Sequence, residues 1–537
     1  MAGTSVPRTT RRRPGPGSRV VVAASLAIAL LASCSSGDGG SEGAAEEAAP
    51  TTAVEVAAPA MLGQEDCDGT VEAPEPRFVV DACGRVVILR GINVESAAKG
   101  SSMDDTQLPE TPIDAQRLLG TWGWNTVRFL VFWGAIEPED GRFDEQYLDK
   151  VEDWLNYYRD AGIHVVLDMH QDLYSWKTNG NGAPDWAVDT KGLEVQGIEE
   201  GQPWYLQGAD PAVQAAYQSF WNPEPGERDL KVDYLEALQH LAGRFADHAA
   251  VIGYDVMNEP SFANGDLEAT LAIQEQAAAG EFDNENLTEF MQGGIDAVRA
   301  VDDDAWVMIQ PTSLLNAFPY PGDLIAEQLE DPREGEPRIA YAGHLYQQQV
   351  HDGLGYPEGD PYVDTWQDYR AEEAEQLDAA LWFGEWGGAP EQERMSDYIA
   401  DVAGMADEEM AGWAWWSFDP GGWSPLTEGG ESLSLNGQHL LRTQPRAIAG
   451  TPVSFSFDPA TSVFRMTWTE RAEATGPTEI AAPASLYRED LELVLDGEVV
   501  AEPAWERRTS VLTLDPDRSL ETHEVCIGPA DAGYCEA

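Results

Sequence analysis

The sequence predicts a (β/α)8 barrel followed by a C-terminal antiparallel β-sandwich, and three observations carry that expectation. Eight short apolar runs alternate with longer amphipathic segments. Those runs are continuous rather than alternating, which suits strands covered by helices on both faces. After Pro445 the pattern switches to polar–apolar alternation broken by Pro, Asp and Gly, the signature of sheets with one wet face.

The apolar runs are, in order, Val86 to Glu95, Thr126 to Trp133, His164 to Gln171, Val251 to Pro260, Ala305 to Thr312, Ile339 to Tyr346, Leu381 to Gly388 and Gly412 to Asp419. Helix-length segments such as Glu145 to Asp160 and Tyr234 to His248 lie between them. Most runs begin apolar and end polar or aromatic: Asn93 and Glu95, His170 and Asp172, Asn258 and Glu259, His344 and Tyr346, Glu385, and Trp416. The C-terminal ends of barrel strands meet at one face, so this placement argues for a single convergent site. Beyond Pro445, the segments Thr451 to Phe457, Val463 to Thr469, Leu491 to Leu495 and Ser510 to Leu514 read as strands of the sandwich.

The N-terminus reads as an address. Arg8, Arg11, Arg12, Arg13 and Arg19 precede an apolar run from Val20 to Ala32, the charged and hydrophobic regions of a secretory signal. The run is too short to span a bilayer. It ends in Leu31-Ala32-Ser33-Cys34, which resembles the lipobox of bacterial lipoproteins, in which the Cys becomes the lipidated first residue. That implies an exported chain, anchored through Cys34 to the outer face of a bacterial cell membrane. Residues 34–75, rich in Ala, Glu, Gly, Thr and Pro, read as a flexible tether, with a catalytic domain over 76–445 and the sandwich over 446–537. Order is expected to begin near Phe78. Cys67, Cys83, Cys526 and Cys535 form two pairs close in sequence, and in an exported protein the simplest connectivity is Cys67 to Cys83 and Cys526 to Cys535. Neither pair has CxxC spacing, which disfavours a metal site.

Composition excludes several classes. With 32 Lys plus Arg against 95 Asp plus Glu, the chain carries −63 formal charges and lacks the basic surface that nucleic acid requires. A hydrophobic fraction of 43% is too high for a disordered acidic chain. The acidity is spread along the whole sequence, as a solvated surface spreads it. No GxGxxG follows a strand and no HExxH occurs, so neither cofactor nor metal is expected.

Two strand ends carry the chemistry. Val251 to Pro260 places Glu259 directly after a buried strand with Asn258 beside it, and Leu381-Trp382-Phe383-Gly384-Glu385-Trp386-Gly387 presents a second carboxylate. A lone Glu there more often caps a helix or pairs with Arg. Two at one barrel mouth are what glycosidic cleavage requires: one protonates the leaving oxygen and the other attacks the anomeric carbon.

At these residues the sequence resembles glycoside hydrolase family 5, and within it the endoglycoceramidases. The family marks are Arg128 in Asn125-Thr126-Val127-Arg128-Phe129, His170 in Asp168-Met169-His170-Gln171-Asp172, Asn258-Glu259-Pro260, His344-Leu345-Tyr346, Glu385 and Trp416 before Ser417. Narrower marks are Asn181-Gly182-Ala183-Pro184-Asp185-Trp186-Ala187, Gly412 to Asp419, Pro445 to Pro452 and Gly476-Pro477-Thr478-Glu479-Ile480. The resemblance runs from about Phe78 to past Ser510.

It implies Glu259 as general acid/base and Glu385 as nucleophile of a retaining double displacement, with Tyr346 and Arg128 holding the nucleophile ionised and aimed. Asn258 matches the residue that bonds the sugar 2-hydroxyl, Trp416 the platform under the ring, and His170, Asp172 and His344 the polar lining; Lys99 is placed to reach the glycan. The implied substrate is a glycosphingolipid cut between glycan and ceramide by a monomer. A polysaccharide endoglucanase or mannanase, a glycosidase of another glycolipid such as the galactosylceramide type, and a non-catalytic glycan- or lipid-binding lipoprotein are the rivals. Taken without the family, Arg128 reads equally as a core ion pair and His170 as a satisfied buried imidazole. Trp122, Trp124 and Trp133 read as packing. The aromatics of the long insertion Asp172 to Asp229 fit either sugar stacking or the insertion's own core.

Overall fold

The computed structural model describes residues 69–535 apart from 104, 106, 110–119, 199–203, 262–284, 314–328, 420, 421, 488, 489 and 531, together with Met61, Gln64 and Cys67. Cys34, the signal segment and most of the tether lie outside the described residues. Among the described residues no helix is long and apolar enough to cross a membrane.

The run read as one strand from Val86 to Glu95 is two, β1 (Val86–Val87) and β2 (Arg90–Val94). β2 opens the barrel, which continues through β3 (Thr126–Val131), β4 (His164–Met169), β5 (Val251–Asp255), β6 (Trp306–Ile309), β7 (Ile339–Tyr341), β8 (Ala380–Trp386) and β9 (Gly412–Trp415). Neighbouring strands are parallel and β9 closes on β2. Then follow β10 (Gln444–Ile448), β11 (Gly450–Asp458), β12 (Val463–Glu470), β13 (Thr478–Ala481), β14 (Leu491–Leu495), β15 (Glu498–Val499), β16 (Ala504–Glu506), β17 (Val511–Leu514) and β18 (Thr522–Pro529). They make two antiparallel sheets ordered β1-β10-β13-β17-β16 and β11-β12-β18-β14-β15.

β1 therefore belongs to the sandwich, paired with Ala447 and Ile448. Ala73, Phe78, Val80, Val86 and Ile88 pack into the sandwich core with Ile448, Phe464 and Trp468. Periodicity could not show the break, because β1 and β2 are both wholly buried and read as one apolar run. Asn125 manages the crossing: its side-chain amide donates to the carbonyls of Ile88 and Arg446, and its Oδ1 accepts from Arg90 N–H. Disulfides join Cys67 to Cys83, with Cα atoms 4.9 Å apart, and Cys526 to Cys535, at 5.6 Å.

The barrel helices follow local chemistry. In Glu145–Ala161, Asp144 caps the N-terminus by accepting from Gln146 and Tyr147 N–H, and Gly162 ends the helix at φ +71°. Its apolar face, Tyr147, Leu148, Val151, Leu155 and Tyr158, turns inward. Trp122, Trp124 and Trp133 are all buried packing residues.

Where barrel meets sandwich, Phe457 N–H of β11 donates to Asp407, which belongs to a buried ionic cluster. Arg90 Nη1 lies 2.9 Å from Asp407 Oδ1, while Arg442 binds the other oxygen of that carboxylate. Nearby, the pKa of His164 falls to about 3, first by burial and then by the charges of Arg446 and Arg85 against a weaker pull from Glu479. The unfolded imidazole takes its proton near pH 6.5, and the folded one does not until about pH 3. This contribution to stability is thus whole above pH 6.5 and is lost as pH falls through that window. His164→Phe should lose about 2 to 3 kcal/mol less than the wild type between pH 7 and pH 4.5 in urea unfolding. Parallel curves for the two proteins would show that His164 is not the group responsible.

Candidate active site

Most barrel strands deliver a polar side chain to the mouth, and the arrangement is built around Arg128 on β3. Its guanidinium is wholly buried. Nε and Nη2 donate to Asp255 Oδ2 at 3.0 and 2.9 Å, Nη1 donates to Asn93 Oδ1 at 3.0 Å and to Glu385 Oε1 at 2.8 Å, and Nη2 donates to Asn258 Oδ1 at 2.7 Å. Asp168 Oδ1 stands 2.9 Å from the same Nη2. Burial alone would lower the arginine's pKa, but the charges of Asp168, Asp255 and Glu385 raise it.

Glu385, in β8, is thereby held at both oxygens, since Tyr346 O–H donates to Oε2 at 2.8 Å. Burial, then the charge of Glu385, pushes the Tyr346 phenol well above its ordinary pKa, so it remains a donor. The residue before the nucleophile candidate has to be small: a Cβ on Gly384 would lie 3.1 Å from His344 Nε2 and 3.3 Å from Arg128 Nε.

Glu259 follows β5 and faces Glu385. One oxygen of each carboxylate and one nitrogen of His344 lie within 4.8 Å of one another. His344 Nδ1 is 2.8 Å from Glu259 Oε1 and 3.5 Å from Glu385 Oε2. Burial brings the imidazole down to about 4 despite the opposing charge of Glu385, so it is neutral near pH 7. Among the described residues these three donors converge closely enough for a cation. Arg128 and Tyr346 already bind the two oxygens of Glu385, and a cation there would have to displace one of them.

Opposite lies the polar rim. His170 Nδ1 is 2.7 Å from Asp168 Oδ2, and Nε2 is 3.4 Å from Asp172 Oδ2. Burial works against the imidazolium, but the charge of Asp168 prevails and raises His170. Burial would raise Asp172, yet Lys99, with Nζ 2.6 Å from Oδ2, and His170 hold it well below the usual carboxylate range. Lys99 Nζ also sits 4.3 Å from the centre of the Trp416 ring, and that indole stacks on His170 at 5.6 Å and 13°. Trp416 is half-buried, leaving ring surface for a sugar.

The structure thus brings together all ten catalytic and sugar-binding candidates: Glu259, Glu385, Tyr346, Arg128, His170, Asp172, Asn258, His344, Trp416 and Lys99. The sequence reading assigned no role to Asn93, Asp168, Asp255, Gln171 or Gln310, all buried parts of the same network. Asp255 had a legible signal, a carboxylate inside an apolar strand. Gln310, at the end of β6, had none beyond its place. In the insertion, Tyr174, Tyr217, Phe220 and Trp221 are buried and pack with Tyr234 and Phe290 of the barrel helices, which makes them part of the barrel's hydrophobic core and not a separate core of the insertion. Trp176 and Trp186 remain half-buried, and Trp176 Nε1 donates to the Lys99 carbonyl.

A closed parallel barrel whose mouth opposes two carboxylates, one gripped by an arginine and a tyrosine and the other beside a neutral histidine, defines a glycosidase. Comparison narrows the class. Residues 80–422 match the model of cellulase (glycosyl hydrolase family 5), and residues 442–527 match the glycoside hydrolase family 5 C-terminal domain. The chain belongs to glycoside hydrolase family 5. It is 30% identical to endoglycoceramidase I of Rhodococcus hoagii over 81% of this chain and 84% of that protein. The solved structure of endo-glycoceramidase II from Rhodococcus sp. superposes with a TM-score of 0.73 at 36% identity, covering 85% of this chain and 100% of that one. The same protein has been solved as a ganglioside GM3 complex and as a lactosyl-enzyme intermediate, matching at 34% identity with TM-scores of 0.74 and 0.72. A glucosylceramidase of Rhizopus delemar is 29% identical over 34% of this chain and 35% of its own length.

Tyr346→Phe keeps the ring's packing and removes the donor to Glu385 Oε2. It should lower kcat/KM on a glycoside by about 100- to 1000-fold with little change in unfolding midpoint. Wild-type activity in this variant would show that Tyr346 does not aim Glu385.

Proposed function

We propose that the protein is a retaining, endo-acting glycosidase that cleaves the β-glycosidic bond between the glycan and the ceramide of glycosphingolipids. The observation carrying the mechanism is the placement of Glu259 and Glu385 oxygens within 4.8 Å across the mouth, the close spacing of retaining rather than inverting pairs. The lipid substrate is supported by the endoglycoceramidases that the chain resembles along most of its length.

In this reading Glu385, its charge spread between Arg128 and Tyr346, attacks the anomeric carbon while Glu259 passes its proton to the ceramide oxygen. The C–O bond breaks, ceramide leaves as an alcohol, and the glycan stays esterified to Glu385. Glu259, now a carboxylate, takes a proton from water as the water's oxygen attacks the same carbon, freeing Glu385. His344, neutral beside Glu259, does not add a like charge to the proton on its way. Asn258 offers its amide to the sugar 2-hydroxyl, Trp416 lies under the ring, and Lys99, His170 and Asp172 bind hydroxyls at the rim.

The chain is exported, anchored through lipidated Cys34 to the outer face of the membrane, and acts as a monomer. A lipid anchor keeps the enzyme at the surface where a glycolipid is presented. A second reading, removal of a single glucose from glucosylceramide, is favoured by the match to the Rhizopus enzyme. The family model's cellulase description keeps polysaccharide as a third substrate to assay.

With a glycosphingolipid bearing several sugars the enzyme should yield ceramide and the intact glycan. Release of single sugars, or activity confined to glucosylceramide or soluble β-glucan, would refute the endo reading. Glu259→Ala with azide should give the glycosyl azide of retained configuration, and Glu385→Ala with azide the inverted one; swapped products would exchange the two roles. Cys34→Ala should move the protein out of the membrane fraction at unchanged specific activity. Its staying membrane-bound would place the anchor elsewhere.

A further inference from the structure

Glu259 stands in a backbone conformation that L residues avoid. Its φ is +43°, where Cβ crowds the carbonyl oxygen, and such residues persist only where their surroundings hold them. Two glutamines supply that hold. Gln310 Oε1 accepts from Glu259 N–H at 3.0 Å, and Gln171 Nε2 donates to the Glu259 carbonyl at 3.0 Å and to the Asn258 carbonyl at 2.8 Å. Both glutamines are buried.

We propose that Gln310 and Gln171 are positioning residues for Glu259, clamping both polar atoms of its backbone so that its carboxyl group stands at a fixed distance from Glu385. The proposal rests on the reading of Glu259 as the acid/base.

What each glutamine holds at its other end gives the clamp its meaning. Gln310 Nε2 donates to Asp255 Oδ2 at 2.7 Å, the oxygen that also accepts from Arg128. Arg128 in turn binds Glu385. A continuous chain of hydrogen bonds thus runs from Glu259 through Gln310, Asp255 and Arg128 to Glu385, and both carboxylates take their position from one guanidinium. An amide suits position 310, because it donates to a carboxylate at one end and accepts an N–H at the other whatever the pH. Gln171 ties Glu259 to a different body: its Oε1 accepts from Tyr174 N–H at 2.9 Å and from Tyr217 O–H at 2.9 Å, both in the insertion after β4. The aromatic residues of that insertion therefore serve the acid/base through Gln171.

The test separates a misplaced acid from a damaged fold. Breaking the glycolipid bond needs a proton on the departing ceramide oxygen, whereas a dinitrophenyl β-glycoside has a leaving group that departs without one. Gln310→Met keeps the volume and removes both hydrogen bonds. Its kcat/KM on the glycosphingolipid should fall by about 100-fold, while kcat/KM on the dinitrophenyl glycoside, which reports only formation of the glycosyl-enzyme, should stay within about threefold of wild type. Tyr217→Phe, which removes one bond to Gln171, should show the same asymmetry at about 3- to 10-fold. Equal losses on both substrates, or no loss on either, would overturn the clamp.

Should Gln310→Met fail to fold, Gln310→Glu carries the test. It retains an acceptor for Glu259 N–H but can donate to Asp255 only when protonated, so its glycolipid activity should rise toward low pH relative to wild type. An unaltered pH profile would overturn the proposal. Glu259→Ala, run alongside, must show the leaving-group dependence in full; if it does not, the acid/base reading is what has failed, and the clamp fails with it.

Discussion

One buried guanidinium organises the mouth of this barrel. Arg128 is wholly buried, and an unpaired cation there would cost several kcal/mol. Asp168, Asp255 and Glu385 offset that cost, with Asn93 and Asn258 taking further N–H groups. The planar fork accepts these partners only in set directions, so the ends of five strands are registered against one another by a single side chain. A lysine, with one point charge, could not hold so many partners at once.

The same cluster carries more negative than positive charge, and the protein manages the excess locally. Burial, opposed by Arg128 but reinforced by Asp168, raises Asp255, while Asp168 keeps His170 inclined to its protonated form. At the rim Lys99 neutralises Asp172. The charge is sorted in space: a cationic grip on Glu385 on one side, and a neutral His344 beside Glu259 on the other. That asymmetry gives two identical side chains different electrostatic surroundings.

Much of the site was legible before folding. Glu259, Glu385, His170, His344, Tyr346 and Trp416 were visible because each is a polar or aromatic residue ending an apolar strand, and such residues have to meet at a barrel's mouth. Asp168, Asp255, Gln171 and Gln310 were not assigned: the two carboxylates stand in apolar strands, which signals a buried charge but not its partner, and the glutamines carry no such signal. The aromatic insertion was equally open to two readings, and only packing against Tyr234 and Phe290 shows that its buried rings join the barrel core. The run Val86 to Glu95 was read as a single strand because hydrophobicity records burial but not which sheet does the burying.

By itself the sequence determined the barrel and the sandwich, since strand and helix periods and the change after Pro445 are local properties of the chain. Strand-end position marked the two carboxylates, and the family resemblance implied the roles of their neighbours. Tertiary structure alone decided that β1 leaves the barrel's run for the sandwich, that Arg128 binds acidic groups from three other strands, and that Gln310 and Gln171 hold Glu259 at positive φ. Each of these joins residues separated by tens to hundreds of positions. Hydrogen-bond geometry selects such partners only after the barrel has closed, and no local period of the sequence encodes it.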